Sequence, residues 1–98
     1  MAQFDVFRLS DGSLVVDCQS DHLDSYDTRF VVPLIEYHPG MVMMTRLHPR
    51  FTIGGEDVVM VTQFATAVQA RELRSLVGSL AADRLRIIDA IDVLTGTA

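Results

Sequence analysis

Two tight-turn signals divide the first sixty residues into paired runs of β-branched and aromatic side chains. Asp11-Gly12 separates residues 3–9 from 14–18, and Gly54-Gly55-Glu56-Asp57 separates 50–53 from 58–62. Glycine and aspartate tolerate the positive φ that a tight hairpin turn requires. The pattern therefore predicts two β-hairpins, and with them an antiparallel sheet.

A third strand is predicted over residues 29–35, which are almost continuously apolar. Pro33 lies inside this run and has no N–H to donate, so we expect the pairing of the strand to be interrupted there. Residues 19–28, rich in Asp and Ser, have the composition of an exposed loop. Residues 41–47 are apolar without a clear period, which fits either a strand or an irregular packed arm.

The composition changes after Ala65, where Ala, Leu, Arg and Glu become common and favour helix. In residues 81–94 apolar side chains recur at steps of three and four, which predicts an amphipathic helix that packs on the sheet by one stripe. Gly96 fits the cap that ends it. A shorter helical turn is expected within residues 69–76. The stripe consists of Ala81, Leu85, Ile88, Ile91 and Leu94, with Ile87 beside it.

These elements predict a mainly β fold with a C-terminal α-helix, built as a single domain over residues 1–98. A chain of 98 residues has room for one core, and a domain this small buries only about 60 to 65% of its unfolded surface. A second copy would cover more, so we expect a homodimer. No apolar run approaches the roughly 18 residues of a membrane-spanning helix, and no signal peptide is recognisable. We expect a cytoplasmic protein without membrane contact.

The net charge of −5, with eight arginines and no lysine, argues against direct binding of nucleic acid. The residue types that could carry chemistry are scattered. His22, His38 and His48 lack the short offsets of metal-ligand pairs, and the Asp residues at 21, 24 and 27 lack the pattern of a calcium loop. Cys18 has no adjacent base, which favours a buried structural thiol. We predict no metal, no cofactor and no catalytic residue.

Two side-chain groups leave alternatives open. The methionines at 41, 43 and 44 favour core or dimer packing, although flexible thioethers also line adaptable partner grooves. The arginines at 71, 74, 84 and 86 are interleaved with acidic residues, which favours solvated helix faces over a phosphate-binding surface.

The order of several short motifs resembles the CcdB family, the toxins of plasmid-maintenance toxin–antitoxin pairs. The match is most specific at Val16-Asp17-Cys18-Gln19-Ser20-Asp21 and at Arg29-Phe30-Val31-Val32-Pro33-Leu34. Shorter matches span nearly the whole chain: Gln3-Phe4 with Val6, Asp24, Leu47-His48-Pro49, Ile53-Gly54, Met60-Val61-Thr62, Val77-Gly78 and Ile88-Asp89-Ala90-Ile91-Asp92.

The resemblance implies an SH3-like barrel or twisted antiparallel sheet closed by one helix, and a homodimer. It further implies a toxin without catalytic activity that inhibits DNA gyrase, a topoisomerase, by binding the A subunit, and that a CcdA-like antitoxin neutralises. By position, the target-binding residues would lie at the end of the helix: Asp89, Asp92, Leu94, Thr95 and Gly96.

The chain departs from the family at its end. Gly96-Thr97-Ala98 stands where the familiar member has Trp-Gly-Ile, and the chain contains no Trp. Since an aromatic anchor carries much of an interface's energy, its replacement predicts weaker gyrase binding. Two alternatives follow: a non-toxic homologue that binds only the antitoxin, or a fold-related endoribonuclease in which Arg29, Arg46 or Arg50 polarises the scissile phosphate.

Overall fold

Seven strands and one α-helix are found within residues 1–97, the part of the chain that the computed structural model describes. Single 3₁₀ turns lie at 21–23, 62–64, 70–72 and 81–83. The strands are β1 (Asp5–Arg8), β2 (Leu14–Asp17), β3 (Thr28–Glu36), β4 (Arg50–Ile53), β5 (Glu56–Met60), β6 (Thr66–Gln69) and β7 (Ser75–Ser79), and the helix is α1 (Arg84–Thr95).

All strand pairs are antiparallel and form one sheet in the order β4-β5-β3-β2-β1-β7, with β6 paired to β3. The sheet curls into a half-barrel, which brings β7 against β4. A Cβ added at Gly78 would lie 2.8 Å from Ile53 Cδ1, so the backbone of β7 passes directly over that side chain. The prediction of a mainly β fold, a twisted antiparallel sheet closed by a C-terminal helix, is confirmed.

Both predicted hairpins form. In the first, Phe7 pairs with Val15 across the turn at Gly12, whose φ is +90°. In the second, Ile53 pairs with Glu56, and Gly54 and Gly55 between them have φ of +58° and +83°. Two consecutive positive φ angles are those of the two-residue turn whose twist matches the flanking strands, and glycine adopts them without strain.

The interruption expected at Pro33 is also present, on one edge of β3. That edge pairs with β6 through residues 28–31 and with β5 through residues 34–36. Pro33 lies in the gap between these two partners, where no ladder hydrogen bond needs its missing N–H. Its carbonyl accepts a hydrogen bond from Val61 N–H at 2.9 Å. The proline therefore marks the point at which one strand changes neighbours.

The alternation of side chains along β2 divides them between two apolar clusters, one on each face of the sheet. The larger cluster contains Val16 and lies beneath α1, and the smaller one contains Val15. Leu73, from the segment before β7, belongs to the smaller cluster with Phe7 and Val31. Asp17 and Arg29 are buried polar residues on this second face.

The buried stripe of α1 differs from the predicted one. Ile87 and Ala90 are fully buried, and Ile88 and Ile91 pack at the margin of the core. Leu85, predicted to face the sheet, is 72% exposed. Because each residue advances about 100° around a helix, the face centred on Ile87 turns Leu85 toward solvent. Leu94 is also exposed, and Ala81 precedes the helix in a 3₁₀ turn.

The short helical turn predicted within residues 69–76 is present as the 3₁₀ turn at 70–72, but the residues on either side of it form β6 and β7 and no helix. Pairing with β3 and β1 overrides the local preference of these residues. Residues 41–47 form no strand, so the second of the two predicted alternatives, an irregular arm, is confirmed. We define this arm as residues 37–49, between β3 and β4. No helix among residues 1–97 is long and apolar enough to span a membrane.

Candidate functional site

The C-terminal end of α1 is closed by the chain's own hydrogen bonds. Gly96 has a φ of +82°, and its N–H donates to the carbonyl of Val93 at 3.3 Å, while Thr97 N–H donates to the carbonyl of Asp92 at 2.8 Å. Thr95 Oγ1 adds a bond to the carbonyl of Ile91 at 3.1 Å. This is the left-handed glycine cap that the sequence predicted. The carbonyls of Ile91, Asp92 and Val93 are therefore occupied within the chain.

The five predicted target-binding residues do not form one patch. Asp89, Asp92 and Thr95 follow one another at steps of three, and therefore wind around the helix as a single row. Leu94 lies two positions from Asp92, a rotation of about 200°, and is exposed on a different side. Gly96 extends the row as its exposed cap.

Asp89 is held by the arm. Arg46 donates to it twice, from Nη2 to Oδ1 at 2.6 Å and from Nε to Oδ2 at 3.0 Å. The hydrogen bonds and charge of Arg46 lower the pKa of the Asp89 carboxyl, and those of Asp89 raise the pKa of Arg46. Both side chains remain substantially exposed. The predicted site thus includes a residue of the arm that sequence reasoning did not place there, since the two are 43 positions apart.

Two further bonds join the arm to the turn at 62–64. Thr62 Oγ1, in a buried residue, donates to the carbonyl of Leu47 at 2.5 Å. His48 Nε2 lies 2.8 Å from Gln63 Oε1, and its Nδ1 accepts from Met44 N–H at 3.0 Å. With Nδ1 accepting, the proton belongs on Nε2. The arm has no regular secondary structure, but hydrogen bonds hold its C-terminal end against the 62–64 turn.

Large apolar side chains are exposed on the arm and on the turn that holds it. Val42 is 97% exposed, Met44 60% and Phe64 65%. Met41 and Met43 are half-buried, so the methionine cluster divides between packing and exposure. Exposed large apolar side chains are candidates for burial by a partner, and the arm and the turn that carry them are joined by the bonds described above. Phe64 was not singled out from the sequence, because nothing in its local pattern distinguishes it from a core aromatic.

The three arginines considered for a ribonuclease all have acidic partners. Arg29 is buried and donates to Asp17 Oδ2 from Nε at 2.9 Å and from Nη2 at 2.7 Å. Arg46 pairs with Asp89, as described above. Arg50 pairs with Asp57 at 2.8 Å and lies over the Tyr37 ring at 3.7 Å. A guanidinium already neutralised in this way is a poor candidate for polarising phosphate.

Other candidate chemistry groups remain separate. No cluster of three metal-ligating side chains occurs among residues 1–97. Cys18 is buried, and burial together with the charge of Asp17 raises the pKa of its thiol to about 12. A thiol with that pKa stays protonated at neutral pH and is a weak nucleophile. The prediction that Cys18 is buried is confirmed.

Comparison with known proteins supports the family resemblance. The family model described as CcdB protein matches residues 3–96 of the 98. No curated protein sequence matches the chain. The family match covers every strand and the whole of α1, so it includes the row of residues at the helix end and the arm that contacts it.

Proposed function

This chain belongs to the CcdB family, and from that premise we propose that it is a toxin that inhibits DNA gyrase by binding the A subunit. We further propose that a CcdA-like antitoxin neutralises it, and that it acts in the cytoplasm as a homodimer. The observation that carries the proposal is the continuous family match over residues 3–96. The mechanism requires binding to the enzyme and no covalent chemistry by the toxin.

The gyrase-facing surface is proposed to be the end of α1, with the row of Asp89, Asp92, Thr95 and Gly96 on one side and Leu94 on another. Three features support it. The backbone cap holds this end in one conformation, which lowers the entropy cost of binding. The Arg46 bonds fix the Asp89 carboxylate, and Leu94 offers an exposed apolar side chain.

The homodimer is proposed to cover exposed apolar side chains of the arm and the adjacent turn. Val42, Met44 and Phe64 are individually too exposed to contribute to the core of a single copy. Burying apolar surface stabilises association by about 25 cal/mol per Å² before the entropy costs of binding are subtracted. Light scattering on the purified protein is expected to give the mass of two chains, with Phe64→Ser shifting it toward one.

A supercoiled-plasmid cleavage assay with gyrase from the source organism tests the proposed activity. The protein is expected to make linear DNA accumulate when ATP and gyrase are present. Asp92→Ala with Thr95→Ala should reduce the linear product, because both side chains lie in the row proposed to contact gyrase. Arg84→Gln, at the other end of α1, is the matched control and should leave the product unchanged.

Two outcomes contradict the proposal. If no linear DNA accumulates, gyrase is not poisoned by this chain. If linear DNA accumulates equally with the double variant, poisoning takes place through another surface. Circular dichroism of each variant distinguishes a lost contact from a lost fold.

A second candidate is a homologue that binds the antitoxin without poisoning gyrase. The absence of Trp among the 98 residues favours it, because an indole is the large flat anchor of the familiar family member. Tight binding of the antitoxin combined with no cleavage product would select this candidate. The endoribonuclease alternative gains no support from the ion-paired arginines, and an RNA-cleavage assay on the purified protein tests it directly.

A further inference from the structure

Three arginines that have no acidic partner within residues 1–97 line one surface cavity. Four of the eight arginines form ion pairs with Asp side chains among residues 1–97. Of the other four, Arg8, Arg71 and Arg74 line the same cavity, whereas Arg84 does not. In a chain of net charge −5, such a local excess of positive charge needs an explanation.

The cavity has a volume of about 440 Å³ and lies where β1 ends and β7 begins. Arg8 and Ser75 are directly opposite one another in the β1–β7 pair. Arg71 and Arg74 come from the turn and segment that lead into β7. Leu9, Ser10 and Glu72 complete the lining. The pairing of β1 with β7 therefore fixes the backbone positions of these arginines around the cavity.

Backbone carbonyls orient two of the three guanidinium groups. Arg8 Nη1 donates to the carbonyl of Gly12 at 2.9 Å, and Arg74 Nε donates to the carbonyl of Arg71 at 2.9 Å. Each bond uses one of the five N–H donors of its arginine and leaves the others for a ligand.

Glu72 does not neutralise the cavity by pairing with these arginines. Its Oε2 accepts a hydrogen bond from the N–H of Gln69 at 3.0 Å, as part of a reciprocal capping box that closes the 70–72 turn. The acidic residue therefore has a local structural role. Three positive charges and one negative charge line the cavity, so its lining keeps an excess of positive charge.

We propose that this cavity binds the phosphoryl group of a small phosphorylated molecule. Guanidinium groups bind phosphate through paired charge-assisted hydrogen bonds, and a phosphomonoester dianion offers enough oxygens for more than one arginine. Ser10 and Ser75, which also line the cavity, carry hydroxyl groups that are able to donate. The volume is within the range of small-molecule sites.

Charge and shape favour a small ligand over a nucleic acid. A polyanion needs a row of cations that follows its backbone, whereas these three arginines line a single cavity. The second cavity, about 390 Å³, is lined by one arginine, Arg71, and one carboxylate, Asp27, so its lining has no excess of positive charge. The site is independent of the gyrase proposal, since none of its residues lies at the helix end.

An NMR titration with inorganic phosphate, at constant ionic strength and pH 7.5, tests the site. Phosphate is expected to give saturable amide shifts around residues 8–10 and 71–75. Arg71→Gln and Arg74→Gln should each weaken binding at least about tenfold, because each removes a charge-assisted hydrogen bond. Arg84→Gln is the matched control, an exposed arginine outside the cavity, and should leave the dissociation constant unchanged.

Three results would overturn the proposal. Shifts that grow linearly without saturation would mean that phosphate acts only through the solvent. An equal loss in Arg84→Gln would mean that net charge, and no defined site, attracts the anion. Tighter binding of a hexaglutamate peptide than of phosphate, lost in Arg71→Gln and Arg74→Gln, would assign the cavity to an acidic peptide instead. Each variant's spectrum without ligand reports whether it is folded.

Discussion

Arg46 and Asp89 connect the irregular arm to helix α1 through two hydrogen bonds of 2.6 and 3.0 Å. The arm carries exposed apolar side chains, and the helix carries the predicted target-binding row. One ion pair therefore fixes the relative position of the two surfaces proposed for dimerisation and gyrase binding. Because both partners are exposed, its value lies in positioning more than in global stability.

Arg46→Gln is expected to loosen the arm while leaving the fold intact. The substitution removes the charge that holds Asp89, while the bonds of Leu47 and His48 to the 62–64 turn remain. Limited proteolysis should cleave within residues 37–46 faster in the variant than in the wild type. An unchanged cleavage rate would show that the remaining bonds alone hold the arm.

The same pair predicts a pH dependence. Arg46 lowers the pKa of Asp89 below its ordinary value of 3.8, so the ion pair stabilises the folded state fully above that pH and loses its contribution as pH falls through the lowered pKa. The difference in melting temperature between wild type and Asp89→Asn should be constant from pH 5 to 7 and shrink below pH 3.8. A difference that persists at pH 2 would contradict an electrostatic origin.

Ile87→Ala is expected to destabilise the protein by about 2 to 5 kcal/mol, because it leaves a cavity at the centre of the helix–sheet contact. Ile87 is fully buried, whereas Leu85 on the same helix is 72% exposed. Leu85→Ala is the matched control and should change stability by no more than about 0.5 kcal/mol. Urea denaturation measures the free energy of unfolding of both variants. Similar losses would contradict the burial of Ile87 and the exposure of Leu85.

Replacing one member of the buried Asp17–Arg29 pair should lower the free energy of unfolding far more than replacing both. Both side chains are inaccessible to solvent. Arg29→Leu leaves the Asp17 carboxylate buried without a countercharge, which costs about 3 to 5 kcal/mol. Adding Asp17→Val removes that charge and should restore much of the loss. A double-mutant cycle by chemical denaturation measures the coupling, and additive losses would contradict it.

Gly78→Ala is expected to cost about 1 to 3 kcal/mol through crowding at the junction of β7 and β4. The new Cβ would lie 2.8 Å from Ile53 Cδ1. Ile53→Val removes that atom, so the double variant should be less destabilised than the sum of the two single variants. Thermal denaturation tests this, and strict additivity would indicate that the two strands separate readily.

Local signals predicted the elements whose conformation depends on few neighbours. The glycines at 54 and 55 specified a hairpin by their positive φ, Pro33 specified a break in pairing, and Gly96 specified the helix cap. In each case one residue's backbone restriction decides the local structure. The family was recognised on similarly local grounds, because its short motifs include Pro33 and Gly54.

Residues 66–79 could not be assigned in this way. Their composition favours helix, yet β6 and β7 satisfy their backbone groups by pairing with β3 and β1. The buried stripe of α1 was likewise ambiguous, because apolar residues occupy more than one face and only the position of the sheet selects Ile87 over Leu85.

In the candidate sites, too, some features follow from neighbouring residues and others from contacts between distant segments. The sequence by itself determined the fold class, the family and the row at the end of α1, since turn geometry, periodicity and motif order are encoded in neighbouring residues. Only the tertiary structure joined Arg46 to Asp89 and brought Arg8 together with Arg71 and Arg74. Those contacts depend on how the sheet curls and on strand pairing between distant segments, which no local pattern specifies.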